Sequence, residues 1–95
     1  MRLTKYQIET IKKYTLEVFN TKRVYLFGSR VDDTKRGGDI DLYIELDDKS
    51  ELFKKRIKIL AKLKRYLGEQ KIDVIFNEDS NRLIEKEAKK WGIAL

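Results

Sequence analysis

Phe27-Gly28-Ser29 and, after nine intervening residues, Asp39-Ile40-Asp41-Leu42-Tyr43-Ile44-Glu45 form the segment from which the rest of the chain can be placed. It reads as the end of one strand, a tight Gly-Ser turn, a polar loop closed by Gly37-Gly38, and a second strand that begins with two carboxylates. Side chains i and i+2 of a strand share a face. Asp39 and Asp41 therefore project together, while Ile40, Leu42, Ile44 and Leu46 point to the other face. Two neighbouring carboxylates repel each other, which a structural role seldom requires. A divalent cation removes that repulsion, and oxygen ligands without His or Cys suit Mg²⁺ or Mn²⁺. A bare Asp-x-Asp is short and common enough to be two solvated strand-start residues. The Gly-Ser turn upstream tips the balance towards a site.

At 95 residues the chain is expected to form a single domain, residues 1–95, with a modest core and no room for a second substrate-binding domain. Apolar residues make up 41% of it in short periodic groups, as in a globular protein, and no run approaches the roughly 20 residues that span a bilayer. The N-terminus is polar and enters a helix at once, which predicts no signal peptide and a cytoplasmic location. The absence of Cys excludes disulfides and thiolate metal sites, and the absence of His removes the usual general base. Acid–base chemistry is left to carboxylates, Lys, Tyr or water. The net charge of +6 favours anionic partners, although most lysines read as solvated helix faces.

Thr4-Lys5-Tyr6-Gln7 is a capping box opening a first helix, with Ile8, Ile11, Thr15, Val18 and Phe19 towards the core and Asn20-Thr21-Lys22 at its end. Arg23 to Phe27 and Ile40 to Leu46 are strands. Arg30 to Lys35 could form a short helical turn. Asp48 or Ser50 caps a second helix from Glu51 to Leu67, with Phe53, Ile57, Leu60, Ala61, Lys64 and Leu67 inward and Gly68 as its stop. Lys71 to Phe76 is a third strand. Asp79 or Ser80 caps a last helix with Leu83, Ile84, Glu87, Ala88 and Trp91 near one side, and Ile93-Ala94-Leu95 adds a short edge strand. The long helix between the second and third strands predicts a parallel pair with a right-handed crossover. The short loop after Phe27 predicts an antiparallel first strand. If the second and third strands are neighbours in a suitable register, Asp39, Asp41 and Asp73 come to one end and one face, and the antiparallel first strand brings Gly28-Ser29 to the same end.

Leu26-Phe27-Gly28-Ser29-Arg30, Gly38-Asp39-Ile40-Asp41-Leu42 and Lys71-Ile72-Asp73-Val74-Ile75-Phe76 resemble the nucleotidyltransferase superfamily that includes DNA polymerase beta, and most closely its minimal nucleotidyltransferases. The resemblance covers nearly the whole chain. It implies an α/β (α+β) fold, with a small mixed sheet of three to four strands and helices packed mainly on one face. It implies two Mg²⁺ ions (or Mn²⁺) shared by Asp39 and Asp41, with Asp73 as a further ligand that helps to deprotonate the acceptor. Gly28, Ser29 and Arg30 would lie against the phosphates of ATP, Arg30 being equally readable as a surface residue. The loop departs from the antitoxin-type pattern: Asp32-Asp33 stand where Arg-Gly is usual, leaving Lys35 and Arg36 as substitutes.

The function implied by the resemblance is that of an antitoxin that transfers AMP from ATP to a tyrosine of a partner HEPN-domain ribonuclease toxin, with a heteromer or oligomer expected. The rival readings are an idle antitoxin acting by binding alone, and a nucleotidyltransferase subunit acting on RNA or a small molecule. Direct nucleic-acid binding is the weaker reading, since no RNP-type aromatic motif is present. Tyr43 could stack on a base or cover the sheet. Trp91 reads as core or partner contact ahead of nucleotide contact.

Overall fold

The computed structural model describes residues 3–28, 39–68, 70–78 and 82–95. Helix α1 (Lys5–Phe19) starts at the predicted box. The Gln7 N–H donates to the Thr4 hydroxyl at 3.1 Å, and the Thr4 N–H donates to Gln7 Oε1 at 2.8 Å, so two orphan donors are satisfied reciprocally. Asn20 closes the helix in the left-handed region, with φ 54°. Ile11, Thr15 and Val18 are buried as the periodicity requires, Thr10 and Tyr14 join them, and Ile8 and Phe19 are half-buried.

Strands β1 (Val24–Phe27), β2 (Ile40–Ile44), β3 (Ile72–Phe76) and β4 (Ile93–Ala94) form a sheet ordered β3-β2-β1-β4 among the described residues. β1 is antiparallel to β2 and β4, and β2 is parallel to β3. The strands are slightly shorter than their β-forming runs. Leu46, for example, is held past the end of β2 by Asn77: its N–H donates to Asn77 Oδ1 and its carbonyl accepts from Asn77 Nδ2, both at 2.8 Å. Ile40, Leu42, Ile44, Leu26, Val74 and Phe76 form the main core with α1 and with α2 (Leu52–Leu67). Phe27, Tyr43 and Ile75 lie on the opposite face, where Ala88 of α3 (Leu83–Trp91) covers them. Two helices on one face and a short one on the other give the mixed α+β architecture.

The buried stripe of α2 differs from the expected one. The expected Leu67 is buried and Leu60 half-buried against the core, but Ile59 and Leu63 join them there, whereas Phe53 is 77% and Ile57 55% exposed. The helix is turned towards the stripe that contains Arg56. That guanidinium donates to the Val74 carbonyl at 2.7 Å and stands 5.7 Å from the Phe76 ring centroid, so an apparently polar position is an inward one. Neither Asp48 nor Ser50 caps α2: Asp48 Oδ1 accepts from the Ser50 N–H at 2.9 Å, and Glu51 takes the N-cap place with φ 53° and no side-chain cap bond.

Helix α3 also departs from expectation. It buries Glu85 and Ala88, leaving Leu83, Ile84, Glu87 and Trp91 exposed. A buried carboxylate is tolerable only with a partner, and Glu85 Oε2 accepts from Arg82 Nε at 2.7 Å. Trp91 is therefore not a core residue. The expected caps Asp79 and Ser80 lie outside the described residues.

Candidate active site

The sheet register brings the predicted carboxylates to one edge. Asp41, the second residue of β2, stands opposite Phe27 of β1 on one side and Asp73 of β3 on the other. Asp39 lies just before β2. The Ile40 N–H donates to the Lys71 carbonyl at 3.0 Å, and Lys71 Nζ lies 3.7 Å from Asp39 Oδ2. Lys71 was not singled out by its residue type. Its position opposite Asp39 follows from extending the Asp41–Asp73 register back by two residues.

Asp41 is half-buried and Asp73 exposed. Burial first, and then the charges of Asp73 and Asp39, raise the Asp41 carboxyl above its ordinary value, with Lys71 partly offsetting them. Asp41 thus feels the other two acidic groups where β2 and β3 begin. Gly28 follows β1 with φ 79°, and a Cβ on it would fall on Asp41 Oδ2. Its lack of a side chain lets the turn lie directly against the carboxylate. Ser29, Arg30, the Arg30–Lys35 turn, Lys35 and Arg36, and Gly37-Gly38 lie outside the described residues.

Two cavities flank this edge. One of about 390 Å³ is lined by Phe27, Gly28, Asp41, Ile84, Glu87 and Trp91. Another of about 310 Å³ is lined by Leu60, Lys64, Gln70, Lys71, Ile72 and Asp73. The first brings in α3 side chains that periodicity assigned to packing; their amphipathic spacing gave no sign that they border the carboxylates. Tyr43 takes the bland alternative: it is 1% exposed beneath α3, its hydroxyl has no hydrogen-bond partner among the described residues, and burial pushes it up to about 12. It cannot stack on a base from that position.

Among the described residues no group of three acidic side chains forms a ready metal cage. The donor chemistry still fits a hard divalent cation, because the charges of Asp73 and Asp39 disfavour ionisation of Asp41 and a cation would offset them. Asp39, Asp41 and Asp73 are the residues that could hold it. No described helix is long and apolar enough to cross a membrane.

The family model "Polymerase beta, Nucleotidyltransferase" matches residues 9–95, which include both strands bearing Asp41 and Asp73 as well as α3. A search of curated proteins gives no match.

Proposed function

Because the chain belongs to the polymerase beta nucleotidyltransferase family, we propose that this nucleotidyltransferase domain transfers AMP from ATP to a hydroxyl, namely a tyrosine of a HEPN-domain ribonuclease toxin that it thereby silences as an antitoxin. The observation that supports the reading most is the side-by-side placement of Asp41 and Asp73 next to Gly28. Asp39, Asp41 and Asp73 would hold Mg²⁺ or Mn²⁺. When bound, such ions neutralise phosphate charge and stabilise both the attacking and the leaving oxygen.

The chain's own residues divide the remaining work. Gly28 admits the triphosphate close to the backbone, with Ser29 and Arg30 as further phosphate contacts. Asp73, exposed at the strand edge, accepts the proton of the incoming hydroxyl. That oxygen bonds to the α-phosphorus, the bond from phosphorus to the bridging oxygen breaks, and pyrophosphate leaves with the electron pair.

Incubation with α-labelled ATP, Mg²⁺ and the toxin tests the reading. Label should pass to the toxin with the wild-type chain and not with Asp41→Asn. Unlabelled toxin in both reactions would refute it. A binding-only antitoxin is the second reading, favoured by the Lys71–Asp39 pair at 3.7 Å, which gives Asp39 a counter-charge without a metal. It predicts that Asp41→Asn suppresses the toxin as well as wild type does, with no label on either protein.

A further inference from the structure

We propose that the α3 wall of the cavity beside Asp41 seats the base of the nucleoside triphosphate, with Trp91 as its stacking platform. This inference rests on the nucleotidyltransferase reading and adds to it the place of the base. Ile84, Glu87 and Trp91 are spaced i, i+3 and i+7 and line one cavity with Phe27, Gly28 and Asp41. The small Ala88 is the α3 residue that packs on the sheet. Trp91 is left 64% and Ile84 44% exposed on the cavity side. The volume of about 390 Å³ lies within the range of small-molecule sites, roughly 300–1,000 Å³.

Charge gives the occupant its direction. Glu87 is the carboxylate that α3 contributes to the lining of this cavity, and it disfavours a polyphosphate placed beside it. It can accept hydrogen bonds from the exocyclic amine of a base. Phosphates are therefore directed to the Gly28–Asp41 end, where a bound cation would counter Asp41, and the base to the Ile84–Trp91 end. Lys90 Nζ lies 5.1 Å from the Trp91 ring centroid, so the base would have to share the indole with this cation, and the direction of the nucleotide rests on Glu87 and on the Gly28–Asp41 end. Aromatic stacking suits any base, and Glu87 favours one that carries an amino group, such as adenine.

Trp91 is the only tryptophan in the chain, so its fluorescence reports the proposed seat directly. The experiment combines a fluorescence titration of the wild type with equilibrium dialysis of wild type, Trp91→Ala, Trp91→Phe and Asp41→Asn. The probes are ATP and base-free tripolyphosphate, both with Mg²⁺. ATP should quench the tryptophan and tripolyphosphate should not. Trp91→Ala should bind ATP about 10- to 100-fold more weakly, the scale of one lost base–aromatic stack. It should bind tripolyphosphate as wild type does, and Trp91→Phe should keep most of the affinity for ATP. Equal ATP binding by Trp91→Ala and wild type, with binding lost in Asp41→Asn, overturns the base seat and leaves the nucleotidyltransferase reading standing. Equal weakening of ATP and tripolyphosphate by Trp91→Ala overturns it too, because the residue would then be acting on the fold. If the wild type binds no ATP with Mg²⁺ or Mn²⁺, both readings fall.

Discussion

Gly28 is held at φ 79° with Asp41 Oδ2 where its Cβ would be, so two separate costs meet at one residue. The left-handed conformation alone costs an L-residue about 1–2 kcal/mol, and Gly28→Ala must also push the Asp41 carboxylate aside. We predict a stability loss of at least that size in urea unfolding, together with loss of nucleotidyl transfer. Asp41 has the opposite character: removing its charge should stabilise the metal-free chain. Its folded pKa is raised above the ordinary 3.8, so the fold is favoured when the carboxyl is protonated. That advantage is complete below the ordinary value and is lost as pH rises through the raised one. Asp41→Asn should therefore melt higher than wild type at pH 7 in metal-free buffer, and the gap should close as pH falls towards 4. Transfer by the same variant should drop by roughly 10²-fold or more, the scale of losing one electrostatic contact to a transition state. A melting gap that persists unchanged at low pH would show that the charge of Asp41 is not its source.

Among the elements, α2 offers the sharpest discrimination. Its helical period is plain in the sequence, but its phase is not, because two apolar stripes compete and the true one contains Arg56. Ile59→Ala should cost about 2–5 kcal/mol, as a fully buried aliphatic truncation does. Phe53→Ser should change stability by no more than about 0.5 kcal/mol. Reversal of that order in urea melts would restore the stripe that runs through Phe53 and Ile57. Asn77→Ala should cost about 1–3 kcal/mol, since it removes both partners of the buried Leu46 backbone. The strands were legible for a physical reason: alternation has a period of two, so Ile40, Leu42 and Ile44 could face only one way once Asp39 and Asp41 faced the other. The Asp41–Asp73 pairing, which the sequence leaves conditional on a suitable register, follows in the structure because each Asp comes directly after the first apolar residue of its strand. Helix α3 was legible as a helix but its buried face, Ala88 apart, was not, because its nine residues bury Glu85, which Arg82 makes tolerable, and expose Trp91. A pattern of apolar residues cannot register a charge that is neutralised by a neighbour in space.

In the whole molecule, the sheet order β3-β2-β1-β4 divides the candidate site between two supports. The starts of β2 and β3 carry the carboxylates, and α3, packed on the opposite face from α1 and α2, supplies the wall beyond Gly28. Chemistry and recognition should therefore be separable by mutation. Trp91 lies on the α3 side and Asp73 at the strand edge, on the far side of Asp41 from β1. A tyrosine hydroxyl has an unperturbed pKa near 10, so at neutral pH it needs help to lose its proton. If Asp73 gives that help, Asp73→Ala should lose roughly 10²–10⁴-fold in transfer, the range of general-base assistance, while ATP affinity falls far less. Intact-protein mass spectrometry of the partner checks this. The wild-type chain with ATP and Mg²⁺ should add the mass of whole adenylyl groups, and Asp73→Ala should add none over the same interval. Parallel losses of transfer and ATP affinity would assign Asp73 to binding alone. A partner whose mass never changes, yet whose ribonuclease activity is suppressed by mixing, would make the chain an inhibitor by contact, with its carboxylate edge unused.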